Sequence, residues 1–395
     1  MNKKRVIVLC LVVGLVCALL VVWFQHQSST DVPAVRDDVY ELRILCPMTG
    51  SLSEIGEQIS WTVGYVQDRI NRNGGIGGIP VELRVVDTQF DANHALKLAR
   101  ETAETDRILI GPVDSPGTTA VAAWVREERI PNIAAYSYEE IRESAAPFGI
   151  SYMSDSVEGD LSAVNKWHDL NPDIENVVIL INDGDSSQEV TAERIKGAGQ
   201  SLGIRVTDIV RIAGGEHGVL SAVLAAINAK PDGFVILARF TDYPAILREL
   251  RLRGVKEGRR ITASFSSYDG SLAAQDPEIL EGTYVWNKHD VHYYGAAWQA
   301  LLAAYRADHN GLEPDSHTVS DIYDAIMAWK QAIEELGISP VPADLAAERA
   351  RLAEWFYRSP EIDGIQGSFR WIDGSKDSRI FYFQFGKDGE KVRIE

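Results

Sequence analysis

The chain has 395 residues, enough for two lobes of roughly 100–150 residues, each with a sizeable core. Its 57 acidic residues against 39 basic ones, a formal net charge of −18, argue against nucleic acid and anionic lipid as partners. Cys10 and Cys17 lie in the first apolar run, so the remainder, with Cys46 alone, holds no internal disulfide.

In chain order, a basic end at residues 1–5 with Lys3, Lys4 and Arg5 precedes residues 6–24, an apolar run without charge. Such a run suits either a signal peptide or a membrane-spanning helix, which needs about 20 apolar residues. The exit reads Val22-Trp23-Phe24-Gln25, with no small-x-small cleavage site, and Trp23 and Phe24 suit a membrane interface. Neither cysteine follows a lipoprotein-type sequence. An uncleaved inner-membrane anchor is therefore favoured over a cleaved signal or lipidation, with the basic end in the cytoplasm and the rest outside. Residues 25–39, polar and containing Pro33, read as a tether.

Strands and helices then alternate. A strand at 43–46 leads to a helix at 58–71 with Ile59, Val63, Val66 and Ile70 on one face. Asp91 caps the next helix, in which Ala95, Leu98 and Ala99 recur, and a strand at 108–110, a helix from 118 to 125 and a strand at 132–135 follow. A second block has strands at 177–181, 206–210, 234–237 and 260–264, with helices at 161–170, 189–202, 220–229 and 243–253. From Tyr293 the pattern turns helical, with Val319, Ile322, Tyr323, Ile326, Trp329 and Ile333 on one stripe. Residues 369–371 and 380–385, around Asp373-Gly374, read as a β-hairpin. The alternation predicts α/β architecture, with parallel sheets, right-handed crossovers and ligands at the carboxyl ends of the strands.

The stretch 45–111 adds a pattern of single residues: Pro47, Thr49, Gly50, Gly56, Ile70, Asn71, Gly74, Gly75, Ile76, Gly78, Leu83, Asp87, Asp91, Ala95 and Ala99. In that order and spacing it resembles the opening of the type I periplasmic solute-binding proteins of the branched-chain amino acid class of ABC transporters. The resemblance implies two α/β lobes, each with a mainly parallel sheet flanked by helices, joined by three crossing strands around a ligand cleft. The crossings fall near Asp155, Asn287 and Ser368, which gives an N-terminal lobe of 40–154 plus 288–367 and a C-terminal lobe of 155–287 plus 368–395. It also implies an extracytoplasmic receptor that closes on a small organic ligand, amino-acid-like or aromatic, and presents it to an ABC permease complex. The alternative is a membrane-anchored sensor of the same fold acting through a membrane partner. No enzymatic step and no cofactor are expected.

No Walker loop, zincin motif, CxxC pair or GxSxG elbow occurs. Gly74 to Gly78 follows a helix and precedes a strand, the reverse of a phosphate loop, and reads as a helix stop and turn. Asn182, Asp183 and Asp185 lack the spacing of a calcium loop and read as a solvated loop. His289 and His292 lack a third metal ligand.

By the resemblance, Ser115 takes the place that holds a ligand carboxylate; its alternative role is to cap the helix opening at Pro116. Ile55 faces the same cleft or packs its lobe. Where the family has a small segment ending in Thr, this chain has Tyr136-Ser137-Tyr138, and the ligand-stacking Tyr of the second lobe falls on Ser187. Phe240 keeps an aromatic, and Phe265 stands where an acid pairs with the ligand ammonium, with Asp269 four residues on. A buried ammonium without a counter-charge costs several kcal/mol, so a standard α-amino acid fits poorly. Tyr136, Tyr138, Phe240 and Phe265 are expected to line an aromatic cleft, ordinary packing being the alternative. Asp114 is a candidate displaced acid or else a solvated loop charge.

Overall fold

Leu42, Ile44, Leu45 and Cys46 are all buried, so the first strand, β1 (Tyr40–Cys46), is apolar on both faces, as a central parallel strand requires. Its sheet also contains β2 (Val81–Asp87), β3 (Leu109–Ile110), β4 (Asn132–Ala134) and β5 (Gly149–Ser151), all parallel, in the order β2-β1-β3-β4-β5. The computed structural model describes residues 36–267, 272, 276–314, 316–377 and 379–394. The anchor or signal segment and Asp269 lie outside the described residues.

Helix α1 (Ser53–Arg72) lays Ile59, Val63, Val66 and Ile70 on this sheet. The glycines after it form a helix stop and turn: Gly74, Gly75, Gly77 and Gly78 all have positive φ, and a Cβ on Gly75 would lie 2.0 Å from the Ile79 carbonyl oxygen. Helix α2 (Ala92–Ala103) is capped by Asp91, which accepts from the His94 amide. Helices α3 (Ser115–Glu127) and α4 (Glu139–Ala145) complete the block.

The chain then enters α5 (Ser156–Leu170), β6 (Asn176–Asn182), α6 (Ser186–Ala198), β7 (Arg205–Ile212), α7 (Glu216–Asn228), β8 (Gly233–Ile236), α8 (Tyr243–Leu252), β9 (Ile261–Ala263), α9 (Pro277–Leu280) and β10 (Tyr284–Asn287). After β10 it returns to the first sheet as α10 (Ala296–Asp308), α11 (Ser316–Leu336) and α12 (Leu345–Tyr357). The α11 stripe from Val319 to Ile333 is buried in the same cluster as β1. Tyr40 donates to the Ile338 carbonyl (2.8 Å), and Arg107 pairs with Glu348 and donates to the Pro340 carbonyl (3.0 Å), tying this return to the first sheet.

The chain ends with short strands β11 (Ile362–Gly364), β12 (Gly367–Phe369), β13 (Trp371–Ile372) and β14 (Ser375–Lys376), then β15 (Phe381–Phe385) and β16 (Lys391–Ile394). The second sheet runs β16-β15-β10-β9-β8-β6-β7, with β15 and β16 antiparallel.

Two expectations change here. Residues 368–376, assigned from sequence to the second lobe, stay on the first: Phe369 and Trp371 join its core, and the Trp371 indole donates to the Ser151 carbonyl (2.7 Å). The chain reaches the second sheet only at β15. The expected hairpin is likewise shorter: the turn at Asp373-Gly374, both with positive φ, joins β13 to β14, while 381–385 pairs with β10 and β16. A Pro- and Gly-free apolar run such as 380–385 carries no mark of which edge it joins, and β10 supplies that edge.

Candidate functional site

In each sheet the strand order reverses once, between β1 and β3 and between β6 and β8, and loops at the carboxyl side of such a reversal diverge and leave a crevice. The two crevices share one cavity of about 170 Å3. Leu52, Ile55, Phe90, Asp114, Ser115, Ala135 and Ser137 line it from the first sheet's loops; Asp185, Ser187, Arg239, Phe240, Ser264 and Phe265 line it from the second's. Tyr152, Met153, His317 and Asp321 close it near the crossings.

The first loop is pinned by Asp87, which accepts from the Met48 and Thr49 amides, the Thr49 hydroxyl (2.7 Å) and the Gln89 amide. Burial opposes the Asp87 charge, but these donors outweigh it and hold the carboxyl below its ordinary value. Gln89 and Phe90 both adopt positive φ, an uncommon conformation for such residues, and it turns the Phe90 ring into the cavity.

After β3 the backbone of Gly111 passes so close to β1 that a Cβ would lie 2.2 Å from the Leu45 carbonyl oxygen. Asp114 then caps α3, accepting from the Gly117 amide (2.8 Å), which makes Ser115 the first helical residue and not the cap. Asp114 is no solvated charge: it is 5% exposed, and burial raises its carboxyl pKa against the pull of the Gly117 amide and Arg239.

Tyr136 and Tyr138 are corrections, for neither lines the cavity. Residues alternate sides along the extended chain after β4, so Ala135 and Ser137 face the cleft and the two tyrosines face away. Tyr136 is fully buried between β4, β5 and α4; its hydroxyl donates to Asn132 Oδ1 (2.5 Å), and Asn132 Nδ2 donates to the Gly111 carbonyl (2.7 Å). Tyr138 is buried in the same cluster and precedes α4.

Across the cleft Asn182, Asp183 and Asp185 were expected to form a solvated loop; Asp183 is exposed, but Asp185 is built into the wall. Asn182 and Asp185 are buried; Asp185 caps α6 through the Gln188 amide (3.2 Å) and pairs with Arg239 (2.5 Å). Arg239 lies 5.3 Å from the centre of the Phe90 ring on the opposite lobe, a cation–π contact across the opening. Ser137 and Ser187 hydroxyls approach to 3.3 Å, and Arg194 pairs with Glu140 (2.6 Å), both also between lobes. These contacts describe lobes drawn together over the cavity.

At the cavity floor Phe265 stands edge-on to Trp286 and His317, each at 4.9 Å, and the Lys288 ammonium lies 3.8 Å from its ring centre. Asp160 accepts from the Trp286 indole (2.6 Å) and the Ser264 hydroxyl (3.2 Å); burial raises its pKa to about 7 despite them. Burial likewise pushes Lys288 down to about 8. Asp321 accepts from His289 Nε2 (3.0 Å) and Lys376 (3.2 Å), and Lys376 also reaches Asp324 (2.7 Å). Burial opposes the Asp321 charge, but Lys376, His289 and Lys288 outweigh it and hold the carboxyl low. His289 is thus engaged with Asp321 while the His292 ring stands near Phe383, so the two imidazoles share no ligand position.

Phe90, Asp160, Arg239, His317 and Asp321 were not singled out from sequence, and Asp185 was weighed only as a calcium ligand and read as a solvated loop residue. The switch-point position pointed to Asp185 and Arg239, each a few residues past a strand end. His317 and Asp321 gave no such signal, because they belong to a helix that reads as a core stripe and meets the cleft only through the return crossing.

The sequence matches the family profile described as periplasmic binding protein over residues 44–390. No curated protein matches the chain in a sequence comparison. Among solved structures, an ABC-transporter solute-binding protein from Rhodopseudomonas palustris BisB5 in complex with 3,4-dihydroxybenzoic acid superposes with a TM-score of 0.75 at 16% identity, over 91% of this chain and 96% of that one. A leucine-binding protein, LivK, from Thermotoga maritima MSB8 gives 0.74 at 17%, over 90% and 98%. A solute-binding protein from R. palustris in complex with 4-hydroxybenzoate gives 0.76 at 14%, over 91% and 96%. At these identities the likeness establishes the architecture, two α/β lobes around a cleft.

Proposed function

The chain belongs to the periplasmic binding protein family, and on that premise we propose that it captures a small organic ligand, amino-acid-like or aromatic, between its closing lobes for ABC-type uptake. The observation that carries this reading is the cavity enclosed by the two facing switch points, bridged by Arg239 over Phe90 and by Ser137 against Ser187. A ligand that touches both walls favours the closed arrangement by its differential affinity for it, and closure about the crossings is the transport-relevant step. The reading needs no reaction on the ligand. It places Ile55, Asp114, Ser115, Ser137, Ser187, Phe240 and Phe265 at the ligand.

Structures of the same architecture hold benzoates or carry the name of a leucine-binding protein, which brackets the size of the cargo. Phe265 in place of an ammonium-pairing acid argues against leucine itself. Thermal-shift screening of amino acids, aromatic acids and their amine and alcohol analogues, followed by intrinsic tryptophan fluorescence, tests the reading: a saturable shift from any of these small organic classes supports it, silence from the whole set overturns it, and tight leucine binding overturns the specificity. The reading also includes a membrane anchor at residues 6–24, tested by fractionating cells that express the full chain or the chain lacking that segment.

A further inference from the structure

Two carboxylate oxygens in the cleft wall are left over. Asp114 Oδ2 and Asp321 Oδ2 are buried and have no hydrogen-bond partner among the described residues, although both residues line the cavity. Asp114 is 5% exposed and Asp321 1%. Both charges act on Tyr152, which also lines the cavity and whose own hydroxyl is spent on the Val113 carbonyl (3.1 Å). A buried acceptor without a donor costs about 1–3 kcal/mol, more when charged, so the closed cleft is incomplete without a donor from outside.

The comparison between the two lobes sharpens this. Each carries an aspartate at the head of its switch-point helix, Asp114 on α3 and Asp185 on α6. Asp185 is neutralised by Arg239 at 2.5 Å, whereas Asp114 has backbone amides, that of Gly117 foremost, and the more distant charge of Arg239. Asp321 already has Lys376 and His289 on its other oxygen, and Lys376 also holds Asp324 while Lys288 lies over Phe265, so neither lysine pairs with Asp114. The amides at the head of α3 would ordinarily welcome an anion. Here Asp114 already takes one of them and sets its own carboxylate where an incoming one would sit.

We infer that the ligand presents a cationic hydrogen-bond donor of the primary-amine class to Asp114 and Asp321, with a compact apolar or aromatic body among Phe90, Phe240 and Phe265. The inference rests on the reading that this cleft holds a solute. A volume of about 170 Å3 suits such a body, since an apolar cavity of roughly 150 Å3 accepts benzene. A carboxylate is turned away from the head of α3 by like charge.

The test is calorimetric titration of the purified full-length chain at neutral pH with three probes of one shape: benzylamine, benzyl alcohol and benzoate, with phenethylamine, isopentylamine and leucine alongside. Amines are expected to bind most tightly. Asp114→Asn keeps a capping side chain, and it should weaken amines by roughly ten- to a hundredfold and benzyl alcohol much less, because the amide oxygen still accepts from a neutral hydroxyl. Benzoate or leucine binding more tightly than the amines overturns the inference and leaves the solute reading standing. Amine binding indifferent to Asp114→Asn overturns the assigned seat. Failure of every probe, the neutral one included, counts against the cleft reading itself as well.

Discussion

Asp160 holds the Trp286 indole with one oxygen and the Ser264 hydroxyl with the other, and it does so in a site dry enough to raise its pKa to about 7. Unfolded, the same carboxyl titrates near 3.9, so the folded protein binds the extra proton between roughly pH 4 and 7. Its contribution is therefore full at about pH 4 and is lost as pH rises through 7. Asp160→Asn, fixed in the neutral form, should gain stability relative to the parent by a few kcal/mol across that window, read as urea midpoints at pH 5 and pH 8. A constant difference between the two would show that Asp160 does not titrate there. Arg239→Ala strips the counter-charge from Asp185 and should cost about 1–3 kcal/mol, with Asp185→Asn in the same background restoring most of it. Beyond their place past strand ends at the switch point, nothing in the sequence marked this pair, since an Asp or Arg there looks like any loop charge until its burial is known, and Asp185 was read as solvated. Tyr136 and Tyr138 show the converse: two aromatics in a binding loop invited a pocket role, and the alternation of the chain turned both inward.

At the scale of elements, the site depends on how closely backbones approach. Gly159 in α5 faces β10, and a Cβ there would lie 2.1 Å from the Trp286 ring. Gly159→Ala should therefore push Trp286 off Asp160, destabilise by about 1–3 kcal/mol through overpacking, and shift the tryptophan emission. An unchanged spectrum with unchanged stability would mean the helix and strand can part without cost. The amphipathic helices and apolar strands were readable because burial imposes a period of 3.6 or 2 on the residues. The short strands β5 and β10 were not, because three or four residues carry too little pattern and are held by neighbours distant in sequence. The same holds for 368–376, retained on the first lobe by Trp371 and its bond to Ser151.

At the scale of the molecule, the cross-cleft contacts govern how readily the lobes stay together. Glu140 and Arg194 are both partly exposed, so their pairing contributes modestly, about 0.2–1 kcal/mol. Glu140→Lys replaces it with repulsion and should weaken any cleft ligand a few-fold, while small-angle scattering of the ligand-free variant shows a larger radius of gyration than the parent. Identical scattering and affinity would remove this pair from closure. The sequence by itself determined the two-lobed α/β scaffold, since alternating periodicities and the run of residues from Pro47 to Ala99 are local records of burial and turn geometry. Only the tertiary structure decided which charges meet in the cleft. Asp114, Asp185, Arg239 and Asp321 come from four segments far apart in the chain, and whether a carboxylate is capped, paired or left with a bare oxygen depends on neighbours that sequence spacing does not encode.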